Sequence, residues 1–285
     1  MQKIFITGAS SGIGEALAHE YAKRFEHTGC IIGLAARRSE HLQSLAIALQ
    51  NQYHITFSIY PLDVRDSVAC TSAADDFMQR HGVPNIVIAN AGVSRGTLTE
   101  YPEDILAFQA VMDINVMGML HTFQPFIQAM IAAAKPNITA TSHAILNPQN
   151  NAKTPQLVGI ASVAGVRGLP GAGAYSASKA AAINYLESLR IEMAAHNIAV
   201  TTIAPGYIRT PMTDINQYKM PFLMDADIAA IKFVNAIEAK SRFVVIPWQM
   251  GLVARFMRLI PPFLWDWAMK NAPHKSRINH KSRIN

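Results

Sequence analysis

Tyr175 and Lys179 are the residues whose types and spacing most directly indicate chemistry. They lie four positions apart in a stretch of helical periodicity, so their side chains share one helix face, one turn apart. A lysine ammonium beside a phenol is expected to lower the pKa of the phenol, which makes it a usable acid or base near neutral pH. Ser162 lies thirteen residues earlier, where a predicted strand ends. These residues predict an acid–base site, although such a pair also arises by chance and a serine can simply end a strand.

A glycine-rich turn follows the first predicted strand. Gly8, Gly12 and Gly14 stand between that strand and a helical stretch, with the spacing Gly-x-x-x-Gly-x-Gly. Glycine permits a tight turn and lets backbone N–H groups approach a pyrophosphate, while the helix N-terminus adds partial positive charge. Any tight strand-to-helix turn could use glycine, so the turn alone leaves a nucleotide role open.

The end of the second predicted strand bears on the choice of nucleotide. An acidic residue there would hold a ribose 2′-hydroxyl and select NAD. Here Ala36 is followed by Arg37 and Arg38, and guanidinium groups suit a 2′-phosphate. The sequence therefore favours NADP, with NAD as the weaker choice, unless the arginines only form a solvated loop. Asp63, after the third strand, could accept from an adenine amine or cap a helix.

The elements that must position these residues alternate along the chain. Apolar runs predict seven strands, at 4–7, 30–35, 55–60, 85–89, 156–161, 199–204 and 242–246. Helical periodicity fills the intervals, at 13–25, 39–50, 66–80, 102–112, 115–134, 174–195 and 225–239. This alternation predicts an α/β fold with a doubly wound, mostly parallel seven-stranded sheet of the Rossmann type in a single domain. We place the dinucleotide-binding and catalytic domain at 1–247 and a C-terminal apolar segment with a basic tail at 248–285.

Charge and cysteine content exclude several classes of function. The net charge is +6, but 231–285 holds ten basic and two acidic residues, so the rest of the chain is slightly acidic. No basic face is indicated, and we expect no nucleic-acid partner. Two cysteines, Cys30 and Cys70, cannot build a disulfide framework and suggest a reducing compartment. No cluster of ligating residues indicates a metal. Because the first strand begins at once, we expect no signal peptide and a cytoplasmic location.

The motifs, taken in order from about residue 3 to residue 246, resemble the short-chain dehydrogenase/reductase family. The matching positions are Thr7, Gly8, Ala9, Ser10, Ser11, Gly12, Ile13 and Gly14; Asp63 and Val64; Asn90, Ala91 and Gly92; Asn115; Ser162, Tyr175 and Lys179; and Pro205, Gly206, Ile208 and Thr210.

The resemblance implies a role for each catalytic residue. Tyr175 would donate a proton to a carbonyl oxygen while a hydride passes to the carbon, and Ser162 would hydrogen-bond the same oxygen. Lys179 would lower the pKa of the tyrosine and hold the nicotinamide ribose. Asn115 would position a water that connects the lysine to solvent. Two donors at one oxygen would stabilise the developing alkoxide.

The resemblance also implies cofactor contacts and an assembly. The glycine turn and the 90–92 motif would bind the dinucleotide, Asp63 and Val64 would contact adenine, and Ile208 and Thr210 would contact the carboxamide. The partner would be a small carbonyl or alcohol, and the chain would form a homo-oligomer through the helices that carry Asn115 and Tyr175.

Two other functions stay open. The first is a non-catalytic dinucleotide sensor or membrane-associated module on the same fold, but the presence of Ser162, Tyr175 and Lys179 favours the enzyme. The second is an epimerase or dehydratase of the related extended family, against which the glycine spacing and the short substrate region argue.

The chain departs from the family pattern in three places. Residues 135–155 form an insertion that we interpret as a passive surface loop, since helix-to-strand loops face away from the active site. Ala89 replaces the first asparagine of the usual Asn-Asn-Ala-Gly, with little expected effect. Residues 207–224 are not a departure: they resemble the mobile substrate lid of the family, and their methionine and aromatic residues favour an apolar ketone or aldehyde.

The third departure is the segment after the last strand. Residues 248–268 are strongly apolar, but Arg255, Arg258 and Asp266 interrupt them and Pro261-Pro262 breaks any helix, so the segment does not read as a membrane span. It either packs over the substrate cleft or a second subunit, or attaches peripherally to the inner face of a membrane. Five basic residues from Lys270 onward would suit anionic lipid.

Overall fold

Strands and helices alternate through the computed structural model, which describes residues 1–134, 154–216 and 218–270. The strands are β1 (Gln2–Thr7), β2 (Cys30–Ala36), β3 (Thr56–Pro61), β4 (Ile86–Ala89), β5 (Gln156–Ile160), β6 (Ala199–Pro205), β7 (Ile208–Arg209), β8 (Met224–Asp225) and β9 (Phe243–Ile246). The α-helices are α1 (Gly12–Arg24), α2 (Ser39–Tyr53), α3 (Ser67–His81), α4 (Asp104–Met112), α5 (Gly118–Ala133), α6 (Gly173–Ala194), α7 (Ala226–Glu238), α8 (Trp248–Leu259) and α9 (Pro262–Met269).

Seven strands form one parallel sheet in the order β3-β2-β1-β4-β5-β6-β9. The chain winds outward from β1 in one direction through β2 and β3, and in the other through β4, β5, β6 and β9. Loops at the carboxyl ends of β1 and β4 therefore diverge, which leaves a crevice at this point in the sheet. The predicted doubly wound α/β fold in a single domain is confirmed.

Both faces of the sheet are buried because successive strand residues point to opposite sides. Ile4 and Ile6 of β1 belong to a core shared with α1, α2 and α7, while Phe5 between them belongs to a core shared with α3, α5 and α6. This explains why β2 is buried along its whole length and reads as a continuous apolar run.

Within the described ranges of the chain, one helical stretch, Asp104–Ala133, is long and apolar enough to cross a membrane. It joins α4 to α5 through a π-helical turn, Asp113–Met117, which the sequence did not predict. Phe123, Phe126 and Met130 on this stretch are buried in the core against the sheet. One face of the stretch therefore packs in the core of the domain, while Ile105, Leu106 and Met117 are exposed.

The remaining differences from prediction concern the loops. β7 pairs with β8 across the base of the predicted lid, a contact with no local sequence signal. Most of the predicted 135–155 loop lies outside the described residues, as does the tail from residue 271. The predicted break at Pro261-Pro262 is confirmed, because α8 ends at Leu259 and α9 begins at Pro262.

Candidate active site

A single crevice at the carboxyl ends of the strands collects almost all predicted site residues. Those that line it are Gly8, Ser10, Ser11, Gly12, Ile13, Arg37, Arg38, Asp63, Val64, Asn90, Ala91, Gly92, Ser162, Tyr175, Lys179, Pro205, Gly206, Ile208 and Thr210. Gly14 and Asn115 lie behind this wall. The crevice is also lined by Met212 of the predicted lid, and by Leu62, Val93, Ile114 and Thr213, which the sequence did not single out.

The glycine turn has a shape that only glycine allows. Gly8 and Gly12 adopt φ of +69° and +59°, in the left-handed region that favours glycine. A Cβ at Gly14 would lie 2.2 Å from the oxygen of Gly8, so Gly14 lets the helix begin close behind the turn. The Asn90 side chain donates to the oxygen atoms of Thr7 and Gly8 at 3.0 and 3.2 Å and fixes the turn from the neighbouring strand. This cradle, at the start of α1, fits a pyrophosphate.

The arginine pair lies at the same end of the crevice. Arg38 Nη2 donates to Ser11 Oγ at 2.7 Å and to Ser10 Oγ at 3.0 Å, and both arginines are exposed. Guanidinium and hydroxyl groups thus converge beside the turn, a donor set that suits a phosphate monoester.

Asp63 has a partner that the sequence did not predict. The guanidinium of Arg65 donates hydrogen bonds to both carboxylate oxygens of Asp63, at 2.7 to 3.1 Å, and the backbone nitrogen of Arg65 donates to Oδ1 at 3.0 Å. These hydrogen bonds, with a smaller contribution from Arg37, hold the pKa of Asp63 below its ordinary value. The short Asp-x-Arg spacing was the available signal. Asp63 is therefore ionised and oriented at the crevice edge.

Tyr175 and Lys179 lie on α6, one turn apart, and both side chains reach the crevice as predicted. The Lys179 Nζ atom is 5.9 Å from the centre of the Tyr175 ring. Ser162 lies just beyond β5, where its Oγ accepts from the backbone nitrogen of Ala164 at 3.1 Å. Two hydroxyl groups and an ammonium therefore meet in one pocket.

Burial shifts the pKa values of this group. Burial raises the pKa of Tyr175, and a hydrogen bond with Ser162 acts in the opposite direction. Desolvation of the phenolate is the largest effect, and the lowering of this pKa by Lys179 stays a prediction. Burial also lowers the pKa of Lys179 to about 8, so part of its charge is lost just above neutral pH.

Asn115 lies in the π-helical turn and is fully engaged. Its Oδ1 accepts from the backbone nitrogen of Val93 at 2.8 Å, and its Nδ2 donates to the oxygen of Val93 and to Ser178 Oγ, each at 2.9 Å. A Cβ at Gly92 would lie 3.2 Å from Asn115 Oδ1 and 3.5 Å from Lys179 Nζ. Asn115 thus anchors the loop after β4 to α6, and Gly92 separates it from the lysine.

The loop after β6 closes the crevice opposite the glycine turn. Thr213 Oγ1 donates to the oxygen of Ile208 at 2.7 Å and accepts from the backbone nitrogen of Thr210 at 2.9 Å. A Cβ at Gly12 would lie 3.0 Å from Thr210 Cγ2, so this loop nearly touches the turn. Thr213 is a structural member of the site that the sequence did not reveal.

A parallel sheet with a glycine cradle, and a serine, tyrosine and lysine at its crevice, defines the class of nucleotide-dependent oxidoreductases. The family model described as short chain dehydrogenase matches residues 2–220. The chain therefore belongs to the short-chain dehydrogenase family and is an enzyme of that family, as the sequence motifs predicted.

Three relatives illustrate the similarity. An uncharacterized oxidoreductase of Myxococcus xanthus is 32% identical over 93% of this chain and 95% of its own length. The 11-beta-hydroxysteroid dehydrogenase 1A of Arabidopsis thaliana is 30% identical over 94% of this chain and 74% of its own length. A short-chain dehydrogenase from Sphingobium yanoikuyae in complex with NADPH superposes with a TM-score of 0.71 at 20% identity, covering 92% of this chain and 97% of the other.

Proposed function

We infer that this enzyme is an NADP-dependent oxidoreductase that interconverts a carbonyl group and an alcohol. The observation that carries the inference is the meeting of Ser162, Tyr175 and Lys179 in a crevice whose far end holds the glycine cradle and Arg38. When bound, NADPH supplies a hydride to the carbonyl carbon.

The chain's own residues supply the proton and the positioning. Tyr175 donates its phenolic proton to the carbonyl oxygen, and Ser162 donates a hydrogen bond to the same oxygen, so negative charge that develops there meets two donors. The Lys179 ammonium stabilises the tyrosinate that remains. Burial of Tyr175 alone works against this ionisation, which makes the positive charge of Lys179 essential at the moment of proton transfer.

Preference for NADP over NAD rests on the residues at the end of β2. The side chain of Ala36 offers no acceptor for a ribose 2′-hydroxyl, whereas Arg37 and Arg38 are exposed and Arg38 donates to two serine hydroxyls. A dianionic 2′-phosphate gains charge-assisted hydrogen bonds from this set. The ionised Asp63, at the edge of the same crevice, supplies an acceptor for the adenine amine.

The substrate we propose is an apolar ketone or aldehyde. Met212 lines the crevice, and Tyr207 packs edge-on against Tyr218 with ring centres 6.4 Å apart. A methionine in the lining and aromatic rings in the adjoining lid suit an apolar, loosely specified molecule. Similarity to a relative named as a hydroxysteroid dehydrogenase supports the same substrate class.

We also propose a cytoplasmic homo-oligomer. Cys30 and Cys70 are buried free thiols, which fits a reducing compartment. The helical stretch Asp104–Ala133 exposes Ile105, Leu106 and Met117. Pairing across this helix and α6 would cover these side chains, in keeping with the assembly expected from the family motifs.

The decisive experiment compares wild type with Tyr175→Phe. We expect both proteins to bind NADPH, measured by its fluorescence, and only wild type to consume it over a panel of apolar ketones and aldehydes. Turnover in the variant should fall by about 10²–10⁴-fold. Tyr53→Phe, at the end of α2 and outside the crevice lining, is the matched control and should keep full activity. NADPH binding without turnover of any carbonyl by wild type would instead support a non-catalytic dinucleotide sensor.

A further inference from the structure

Helix α8 carries two apolar faces, and the described part of the chain buries only one of them. Met250 and Ala254 are buried, and Met250 packs against Gly206 of the crevice wall. Four further large apolar side chains of this helix are exposed: Trp248 (68%), Leu252 (56%), Phe256 (69%) and Leu259 (81%). At 3.6 residues per turn these four fall within about 80° of arc, opposite the buried pair. The exposed side chains therefore form a continuous stripe.

Helix α9 carries exposed apolar side chains of its own. Phe263 and Trp267 lie one helical turn apart and are 70% and 79% exposed, with Leu264 beside them at 46%. If a bare aromatic side chain presents roughly 150–250 Å², the four aromatics of the two helices together expose roughly 400–700 Å². The largest apolar patch on a typical soluble monomer is roughly 300–600 Å² and is often functional. We call the exposed apolar side chains of α8 and α9 the C-terminal apolar face.

The body of the protein holds the two helices in place. Arg167, in the loop between Ser162 and α6, donates to the backbone oxygen atoms of Met257 and Ile260 at 2.8 and 2.7 Å. Its guanidinium also lies 4.8 Å from the Trp265 ring centre. The guanidinium thus satisfies carbonyl groups at the C-terminal end of α8 and contacts α9 as well. The C-terminal apolar face is therefore presented on fixed helices.

Charge identifies the occupant of this face. From 248 to 285 the chain has seven basic residues and one acidic residue, Asp266. Arg255 is exposed on α8 beside the apolar stripe, Arg258 is exposed roughly 60° further round the helix, and Lys270 follows α9. Large apolar side chains beside basic residues suit the boundary of a bilayer with anionic headgroups. A symmetric contact between two copies would instead bring these same-sign charges together.

We propose that the C-terminal apolar face docks the enzyme on the surface of an anionic membrane. The rings and aliphatic side chains enter the acyl boundary, while Arg255 and Arg258 lie at headgroup level. Because the buried side of α8 packs on the crevice wall, docking places the catalytic crevice about one helix diameter, roughly 10 Å, from the lipid. Membrane docking is independent of the oxidoreductase assignment and goes beyond it.

The test is co-sedimentation of the full chain with vesicles of phosphatidylcholine containing about one third phosphatidylglycerol, without substrate or cofactor. We expect binding at low salt that weakens as salt is raised, and little binding to phosphatidylcholine alone. The triple variant Leu252→Ser/Phe256→Ser/Leu259→Ser and the double variant Arg255→Glu/Arg258→Glu should each lose at least tenfold in vesicle partition. The altered side chains are exposed, so NADPH binding, measured by fluorescence, should be kept and reports folding.

The matched control is Ile47→Ser/Val68→Ser, which removes two exposed apolar side chains from α2 and α3 and should bind vesicles like wild type. Equal vesicle binding by wild type and the triple variant would overturn the proposal, as would absence of binding by wild type. Analytical ultracentrifugation without lipid tests the other occupant, a second copy of the chain. If wild type is oligomeric and the triple variant is monomeric, the membrane proposal is overturned in favour of a contact between copies.

Discussion

The ammonium of Lys179 donates a hydrogen bond to the backbone oxygen of Ile160, 2.9 Å away. This bond ties the middle of the crevice to the last residue of β5, two positions before Ser162. A carbonyl oxygen compensates only partly for the water that Lys179 has lost, so burial still lowers the pKa of the lysine to about 8. The protein thus keeps a costly charge where the chemistry needs one.

Lys179→Met should therefore separate stability from activity. The lysine has an ordinary pKa of 10.5 and a folded-state pKa of about 8, so between these values the unfolded chain binds more protons. The stability of wild type relative to the variant should rise across pH 8 to 10.5 by up to about 3 kcal/mol, at 1.36 kcal/mol per pKa unit. Below pH 8 the variant avoids the burial penalty, although it loses turnover.

Urea unfolding of both proteins at several pH values measures this difference in stability. Titratable groups that both proteins share contribute equally to the two unfolding free energies, so their effects cancel in the difference. A stability difference that stays constant from pH 8 to 10.5 would contradict the prediction.

Arg38→Ala should weaken the binding and use of NADPH but not of NADH. A hydrogen bond to a charged group contributes about 1.5–3 kcal/mol, so kcat/KM for NADPH should fall by about 10–100-fold. The value for NADH, which has no 2′-phosphate, should change little. Steady-state kinetics with both cofactors checks this, with the exposed Arg80→Ala on α3 as the control. An equal loss with NADH and NADPH would show that Arg38 does not read the 2′-phosphate.

Gly92→Ala should slow turnover without unfolding the protein. The added Cβ would crowd Asn115 Oδ1 and Lys179 Nζ, and small displacements of catalytic groups are costly, so we expect kcat to fall about tenfold. The free energy of unfolding should change by no more than about 1 kcal/mol. Gly168→Ala, where a Cβ meets nothing within 4 Å, is the matched control. Unchanged kcat in Gly92→Ala would refute the crowding argument.

Gly206→Ala and Met250→Ala should be strongly coupled. A Cβ at Gly206 would lie 2.6 Å from Met250 Cγ, so the first variant overpacks this contact and should cost about 1–3 kcal/mol. The second variant removes the obstructing Cγ and leaves the Cβ of residue 250 at 3.2 Å, a much milder contact. The double variant should therefore be no less stable than Met250→Ala alone, which thermal or urea unfolding of all four proteins measures. If the losses in the free energy of unfolding of the two single variants simply add in the double variant, α8 moves aside at Gly206 at little cost and the two residues are not coupled.

The fold was largely predictable from the sequence because its signals are local. The buried strands read as apolar runs, and the helices between them have helical periodicity, so their positions were close to those observed. The glycine turn and the Tyr175–Lys179 pair are also local patterns, and the crevice brings them together as predicted. Their catalytic roles stay predictions until activity is measured.

What escaped prediction depends on contacts between distant parts of the chain. Arg167 caps a helix that begins about eighty residues later, and nothing in its neighbourhood signals this. The pairing of β7 with β8 involves only two residues on each side, too short for a periodic pattern. The raised pKa of Tyr175 follows from burial by the whole crevice, whereas the sequence shows only its nearby lysine.

The contact between Met250 and Gly206 also governs how the end of the chain can be studied. Deleting everything after Pro247 would strip a supporting side chain from the cofactor crevice and leave the guanidinium of Arg167 without its carbonyl acceptors. A shortened enzyme that proved inactive would then say nothing about where the intact one resides in the cell. Substitution of the exposed side chains of α8 leaves these contacts intact, so it tests the location of the enzyme without disturbing the crevice.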